Sequence, residues 1–215
     1  MILDGSLESG SKISEVIVSK IFSVSRTPVR LALRVLEVEG LIQKRHGRGY
    51  TVLAFNFDDL TKAYEVRGVL EGLAASNLAR EGLHSDAKAE LKHIVARIEG
   101  FLRSDMPFDK IAVGYEEGNV NFHELIMSEC NNEFIRFAFA RISNFPLIGL
   151  GTIVFNKHKV AEEMMRLRFG NMQHSIILDA IDRRDAFRAE SLMREHANQI
   201  PLYTSLLVEK VPERM

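Results

Sequence analysis

The stretch Val24–Leu53, VSRTPVRLALRVLEVEGLIQKRHGRGYTVL, decides the fold of the N-terminal part. Ser25 suits an N-cap, because its hydroxyl can accept from an orphan backbone N–H two or three residues on. Pro28 then falls in the first helical turn, where a missing N–H costs nothing. Apolar residues recur at helical spacing from there: Val29, Ala32, Leu33 and Leu36. Arg26, Arg30 and Arg34 stand four apart and share another face. The helix N-terminus also favours a phosphate. Gly40, after Glu39, takes the position just past the helix end. In isolation such an arginine stripe is most often a solvated face, so the flanking sequence has to decide.

Upstream, Gly5 and Gly10 punctuate a connection, and Ser14 can cap a short helix from about Glu15 to Phe22. Three residues turn from it into Ser25. Two short helices joined by a tight turn, the second bearing arginines, form a helix-turn-helix pattern. Downstream, Leu41–Lys44 and Tyr50–Leu53 read as strands around the turn His46-Gly47-Arg48-Gly49. A basic hairpin after a helix-turn-helix is a wing. Lys44, Arg45, His46 and Arg48 are placed to touch phosphates or the minor groove.

The charge distribution agrees. The whole chain of 215 residues has a net charge of −1, which gives no general attraction to nucleic acid. Residues 1–54 hold eight basic and five acidic side chains, a net of +3 that leaves −4 for the remainder. A basic head on an acidic body suggests that only the head meets a polyanion. Cys130 is the single cysteine, so no disulfide forms within the chain, as suits a reducing cytoplasm. The apolar stretch Phe145 to Phe155 is interrupted by Pro146, Gly149 and Gly151 and is too short to span a bilayer. No secretory signal pattern opens the chain. The expected location is cytoplasmic, without a membrane partner.

Beyond residue 58 the periodicity is helical throughout. Expected helices cover about 58–81, 85–104, 108–130, 132–144, 147–156, 159–182 and 186–208, with Asp185 capping the last. The expected class is mainly α. A winged helix-turn-helix domain with a small β-hairpin (1–54) precedes an all-α antiparallel helical bundle (58–208).

SVSRTPVRLALRVLEVEGLIQKRHGRGYTV resembles the N-terminal domain of GntR-type bacterial transcription regulators. The resemblance implies operator binding through Ser25, Arg26, Thr27, Arg30, Arg34, Arg45, His46, Gly47 and Arg48. Two departures stand out. The family pattern has an acidic residue where Leu31 stands, and members carry a further helix before ILDGSLESG, so the chain reads as starting inside or after that helix.

Four later stretches, EVRGVLEGLAA, NVNFHELIMSECNN, MQHSIILDAIDRRD and AESLMREH, resemble the FCD-type effector domain of the FadR subfamily. That resemblance implies a divalent metal, zinc, nickel or similar, held by Asn119, His123, His174 and His196. Asn119 takes the place of the family's acidic ligand. Asn119 and His123, at i and i+4, share a helix face, and imidazoles suit such metals. Read from the residues alone, three histidines are more simply separate polar side chains, each hydrogen-bonded. His84, His93 and His158 read as solvated. Arg67 is either an effector-binding clamp for a carboxylate or the partner of Glu71 one turn on.

The expected function is a metabolite-responsive regulator, a repressor acting as a homodimer on a palindromic operator of double-stranded DNA. Its effector would be a small carboxylate or sugar acid. Two rivals are a metal-dependent enzyme acting on a small organic acid, for which Glu116, Glu117 and Asp179 are the nearby carboxylates, and a constitutive DNA-binding protein whose helical domain only dimerises.

Overall fold

The computed structural model describes residues 7–8, 10–45, 49–53, 57–143 and 159–208. The chain is mainly helical with one small sheet. Strand β1 (Lys12–Ile13) leads into α1 (Glu15–Ile21) and α2 (Arg26–Val38), followed by strands β2 (Ile42–Lys44) and β3 (Tyr50–Val52). Ser14 caps α1 by accepting from Val16 N–H. Ser25 takes the N-cap backbone conformation of α2, but its hydroxyl makes no capping bond. Gly40, with φ of +73°, ends α2, and Leu41 N–H bonds back to Leu36 C=O.

The hairpin has a third strand that the sequence reading lacked. β3 lies between β2 and β1, both antiparallel to it, with Lys12 opposite Thr51 and Ile13 opposite Tyr50. Two residues are too few for a period-2 pattern to register. Gly49 permits the pairing: its φ is +89°, and a Cβ there would press on Ile13 C=O at 2.6 Å. Val29 and Leu33 of α2 close over Ile13, Leu41, Ile42, Tyr50 and Val52, which forms the small core of this part.

Six helices follow: α3 (Phe57–Glu81), α4 (Ser85–Arg103), α5 (Phe108–Glu129), α6 (Glu133–Ser143), α7 (Val160–Asp182) and α8 (Ala186–Val208). The expected helix at 147–156 lies outside the described residues, as do His46, Gly47, Arg48 and His158. The core gathers Leu91, Ile98 and Leu102 of α4, Phe122 and Ile126 of α5, Leu167, Ile177 and Ile181 of α7, and Met193 of α8. Asp185 caps α8 by accepting from Arg188 N–H at 3.1 Å, as expected. α3 runs close along α8 because Gly68 and Gly72 carry no side chain. A Cβ at Gly68 would lie 3.2 Å from Ala197 Cβ, and one at Gly72 would lie 2.9 Å from Arg194 Cγ. That closeness sets Arg67 and Glu71 beside His196.

Candidate metal centre and DNA-reading face

The three histidines expected as ligands meet. His123 comes from α5, His174 from α7 and His196 from α8, and each is buried. Nε2 of His196 lies 3.2 Å from Nε2 of His123 and 3.1 Å from Nε2 of His174. The ligand atoms of all three fit within 4.8 Å of one another. Phe122 packs on the His174 ring at 4.3 Å between centroids. Asn119, one turn before His123, is buried and lines the same cleft.

The groups behind the rings decide where the protons sit. His196 Nδ1 is 2.8 Å from Gln173 Oε1, and an amide oxygen only accepts, so Nδ1 carries the proton and Nε2 is a bare lone pair. His123 Nδ1 is 3.0 Å from Glu71 Oε1, an ion-pair approach rather than a linear hydrogen bond. A carboxylate there draws the proton of His123 to Nδ1 and bares its Nε2 as well. The two Nε2 atoms stand 3.2 Å apart, a spacing that either a shared proton or a metal ion bound by both nitrogens would satisfy. Burial holds His174 well below the ordinary imidazole range. Burial, reinforced by His123, takes His196 down to about 3. Both rings are therefore neutral near pH 7, the form that ligates a metal. The donor set thus fits a divalent ion, to which His123, His174 and His196 would each offer one imidazole nitrogen.

Arg67 lies against Glu71, with Nη2 and Nε each 3.3 Å from Oε1, and Nη1 donates to Tyr64 Oη at 3.4 Å. It also lines the cleft above the histidines. The pairing with Glu71 is thus present, and the guanidinium also borders the cleft. Burial pushes Glu71 up, but Arg67 and then His123 outweigh it and hold the carboxyl at about 2. Four further residues shape the site. Glu71 was visible in the sequence only as a partner for Arg67, and Gln173 and Arg166 carried no signal. Arg166 lines the cleft and is held by Glu163 at 2.7 Å. Tyr115, pushed up to about 12 by burial, stands beside Gly170, where a Cβ would collide with its hydroxyl. The cleft has a free volume of about 30 Å³, room for an ion and one or two waters. Among the carboxylates considered for catalysis, Glu117 pairs with Arg97, and Asp179 with Arg183 and Arg188, all toward solvent. His84 and His93 are exposed.

On the other part of the chain, Ser25, Arg26, Thr27, Arg30, Arg34 and Arg45 are all exposed. Arg26, Arg30, Arg34 and Lys44 line a cleft of about 570 Å³ between α1, α2 and the β2–β3 strands. Its one acid, Glu15, holds Arg30 through Nε and Nη2, both at 3.1 Å, and Arg26 at 3.4 Å.

A winged helix with an arginine-lined face, joined to a helical body, has the form of a DNA-binding regulator. Residues 1–52 match the description "Bacterial regulatory proteins, gntR family", and residues 62–199 match the FCD domain. The chain belongs to the GntR family of DNA-binding transcription regulators, in its FCD-containing, FadR-like branch. It is 26% identical over 207 residues to the gluconate operon transcriptional repressor of Bacillus subtilis, covering 92% of this chain and 76% of that protein. It is 24% identical to the HTH-type transcriptional repressor GlaR of Escherichia coli, over 91% and 86% of the two chains. The solved structure of E. coli McbR/YncC has the same fold, with a TM-score of 0.61, 20% identity, and coverage of 97% and 92%. The family and these relatives are transcription regulators, not enzymes. No helix among the described residues is long and apolar enough to cross a membrane.

Proposed function

We propose that this regulator is a cytoplasmic repressor that binds a palindromic operator as a homodimer. In this reading it responds to a small carboxylate or sugar acid at a divalent-metal pocket. The observation that carries the ligand reading is the convergence of His123, His174 and His196, whose ligand atoms lie within 4.8 Å of one another beneath a polar cleft. A cation held by these histidines would lie next to the residues that line that cleft. Asn119, Arg67 and Arg166 on its walls suit an anionic oxygen. The repressor names of relatives, two of them for gluconate operons, support both the sign of regulation and a sugar-acid class.

The free volume is small, so a sugar acid enters only if side chains at the cleft mouth, such as Arg166 and Gln199, swing aside. Binding then shifts the placement of the two reading heads and changes operator affinity by a coupling free energy. The test begins with enrichment of bound sequences from a random duplex library by the full chain. Gluconate and short hydroxy acids are then titrated against the complex with and without zinc. A two-fold repeat released by an acid only when zinc is present supports the reading. A complex insensitive to every acid at saturating zinc defeats effector control and leaves constitutive binding.

A further inference from the structure

We infer that Glu71, without touching the ion, supplies through His123 the negative charge that the ligand set of this chain lacks. The inference rests on the metal reading above. As ligands, the donors that face the site would add no charge: three imidazoles and the Asn119 amide. An ion held by them alone keeps its full charge in a buried setting, where charge is costly. Glu71 is fully buried, and its Oε1 stands 3.0 Å from Nδ1 of His123, whose Nε2 looks into the site. A carboxylate behind a ligating imidazole draws the Nδ1 proton toward itself, and the opposite nitrogen gains basicity.

One oxygen of the anion behind His123 has no donor among the described residues. Arg67 reaches Oε1 at 3.3 Å, whereas Oε2 has no hydrogen-bond partner among the described residues. A bare buried carboxylate oxygen is expensive. A dication on the far side of the His123 ring lowers that cost. Arg67 and the metal are therefore rival counter-cations for one carboxylate, joined to it from opposite sides. This gives the two residues opposite effects on metal affinity. Removing the Glu71 charge weakens the site, and removing the Arg67 charge strengthens it. A merely structural ion pair would weaken the site whichever partner is lost.

The experiment uses the full chain, stripped with a chelator. Zinc is titrated against a chromophoric competitor, and the visible spectrum of the cobalt form reports ligand geometry. Glu71→Gln is expected to bind zinc about 10–100-fold more weakly. Arg67→Gln is expected to bind it more tightly, and that gain should vanish in the Glu71→Gln background. If Glu71→Gln has lost its helical spectrum, the double variant Arg67→Gln/Glu71→Gln, with no stranded charge, takes its place with the same expected loss. Equal zinc affinity in Glu71→Gln and wild type overturns the inference and leaves the metal reading intact. So does weakening by both single variants. A wild-type chain that binds no zinc or cobalt overturns the metal reading and the inference together.

Discussion

Arg141, near the end of α6, pairs with Glu39, the residue that ends the arginine-bearing helix α2. The contact joins the helical body to the DNA-binding part. It stands close to the histidine cluster in the packing order: Ile142 packs with Tyr64, Tyr64 Oη accepts from Arg67, and Arg67 holds Glu71. Both partners are partly exposed, and such a pair is worth up to about 1 kcal/mol. Arg141→Gln should therefore leave the operator affinity of the ligand-free chain within a few-fold of wild type. It should also reduce the ligand-induced change in that affinity by up to about fivefold. Fluorescence anisotropy of labelled operator, with and without zinc plus acid, measures both. An unaltered ligand response would remove this pair from the coupling.

The arginine face makes a second, graded prediction. Arg30→Ala should cost about 1–3 kcal/mol of operator binding if its guanidinium reads a base. Arg34→Ala should instead weaken all sequences alike and flatten the log–log salt dependence by about 0.9, as loss of one phosphate contact does. Binding isotherms at several salt concentrations, on operator and on scrambled duplex, separate the two. Equal losses on both duplexes for Arg30→Ala would make it a phosphate contact.

Helices and their breaks were legible because 3.6-residue periodicity and end signals such as Gly40 and Asp185 are local. The same is true of the arginine stripe, which needs only i, i+4 spacing. β1 was not legible: two residues carry no period, and the glycine that admits the strand, Gly49, lies in the wing turn 36 positions beyond Ile13 in sequence order. At the candidate metal site the histidines were marked by their resemblance to a family pattern. Glu71 and Gln173, which orient two of them, were not. Their roles depend on α3, α5, α7 and α8 converging, and no spacing within one helix encodes that.

Glu15 staples α1 to α2, and this has a pH signature. Its hydrogen bond to Arg30 leads the effects that lower its carboxyl below the usual 4.5. A carboxyl depressed in the folded state adds stability above its unfolded value, and that addition is lost as pH falls through the folded value. Urea unfolding of wild type and Glu15→Gln should therefore differ near neutrality, with the gap closing as pH drops below 4.5. A gap that persists unchanged into acid would mean that the Glu15 charge is not what stabilises the contact.

The packing of α4 on α5 depends on two small residues. A Cβ at Gly118 would collide with Ile98 Cγ1, and one at Gly114 would lie 2.6 Å from the Phe101 ring. Ile98 is fully buried and has no room to retreat. Gly118→Ala gains helix propensity of about 1 kcal/mol. Overpacking in a dense core costs about 1–3 kcal/mol, so the net effect should be destabilising. Chemical denaturation should show a lowered midpoint with an unchanged slope. A raised midpoint would show that α4 can shift to accept the methyl group.

Asn119 offers the sharpest test of how ion and effector depend on each other. Its amide oxygen can ligate but carries no charge, and the imidazoles of His123, His174 and His196 add none as ligands. An anionic effector that reaches the ion would supply charge directly, so each should tighten the other by the same factor, as linkage requires. Calorimetric titration of zinc with and without the acid that releases operator should show that mutual tightening. Asn119→Asp brings a carboxylate to the cleft wall. It should raise zinc affinity in the absence of acid and shrink the coupling, because the charge is then already present. His174→Ala should abolish zinc binding in either background. If Asn119→Asp leaves zinc affinity unchanged while His174→Ala removes it, the ion is held by three histidines and Asn119 serves the effector alone. If neither change alters zinc binding, the histidine cluster is a packing element, and the charge argument built on Asn119 fails with it.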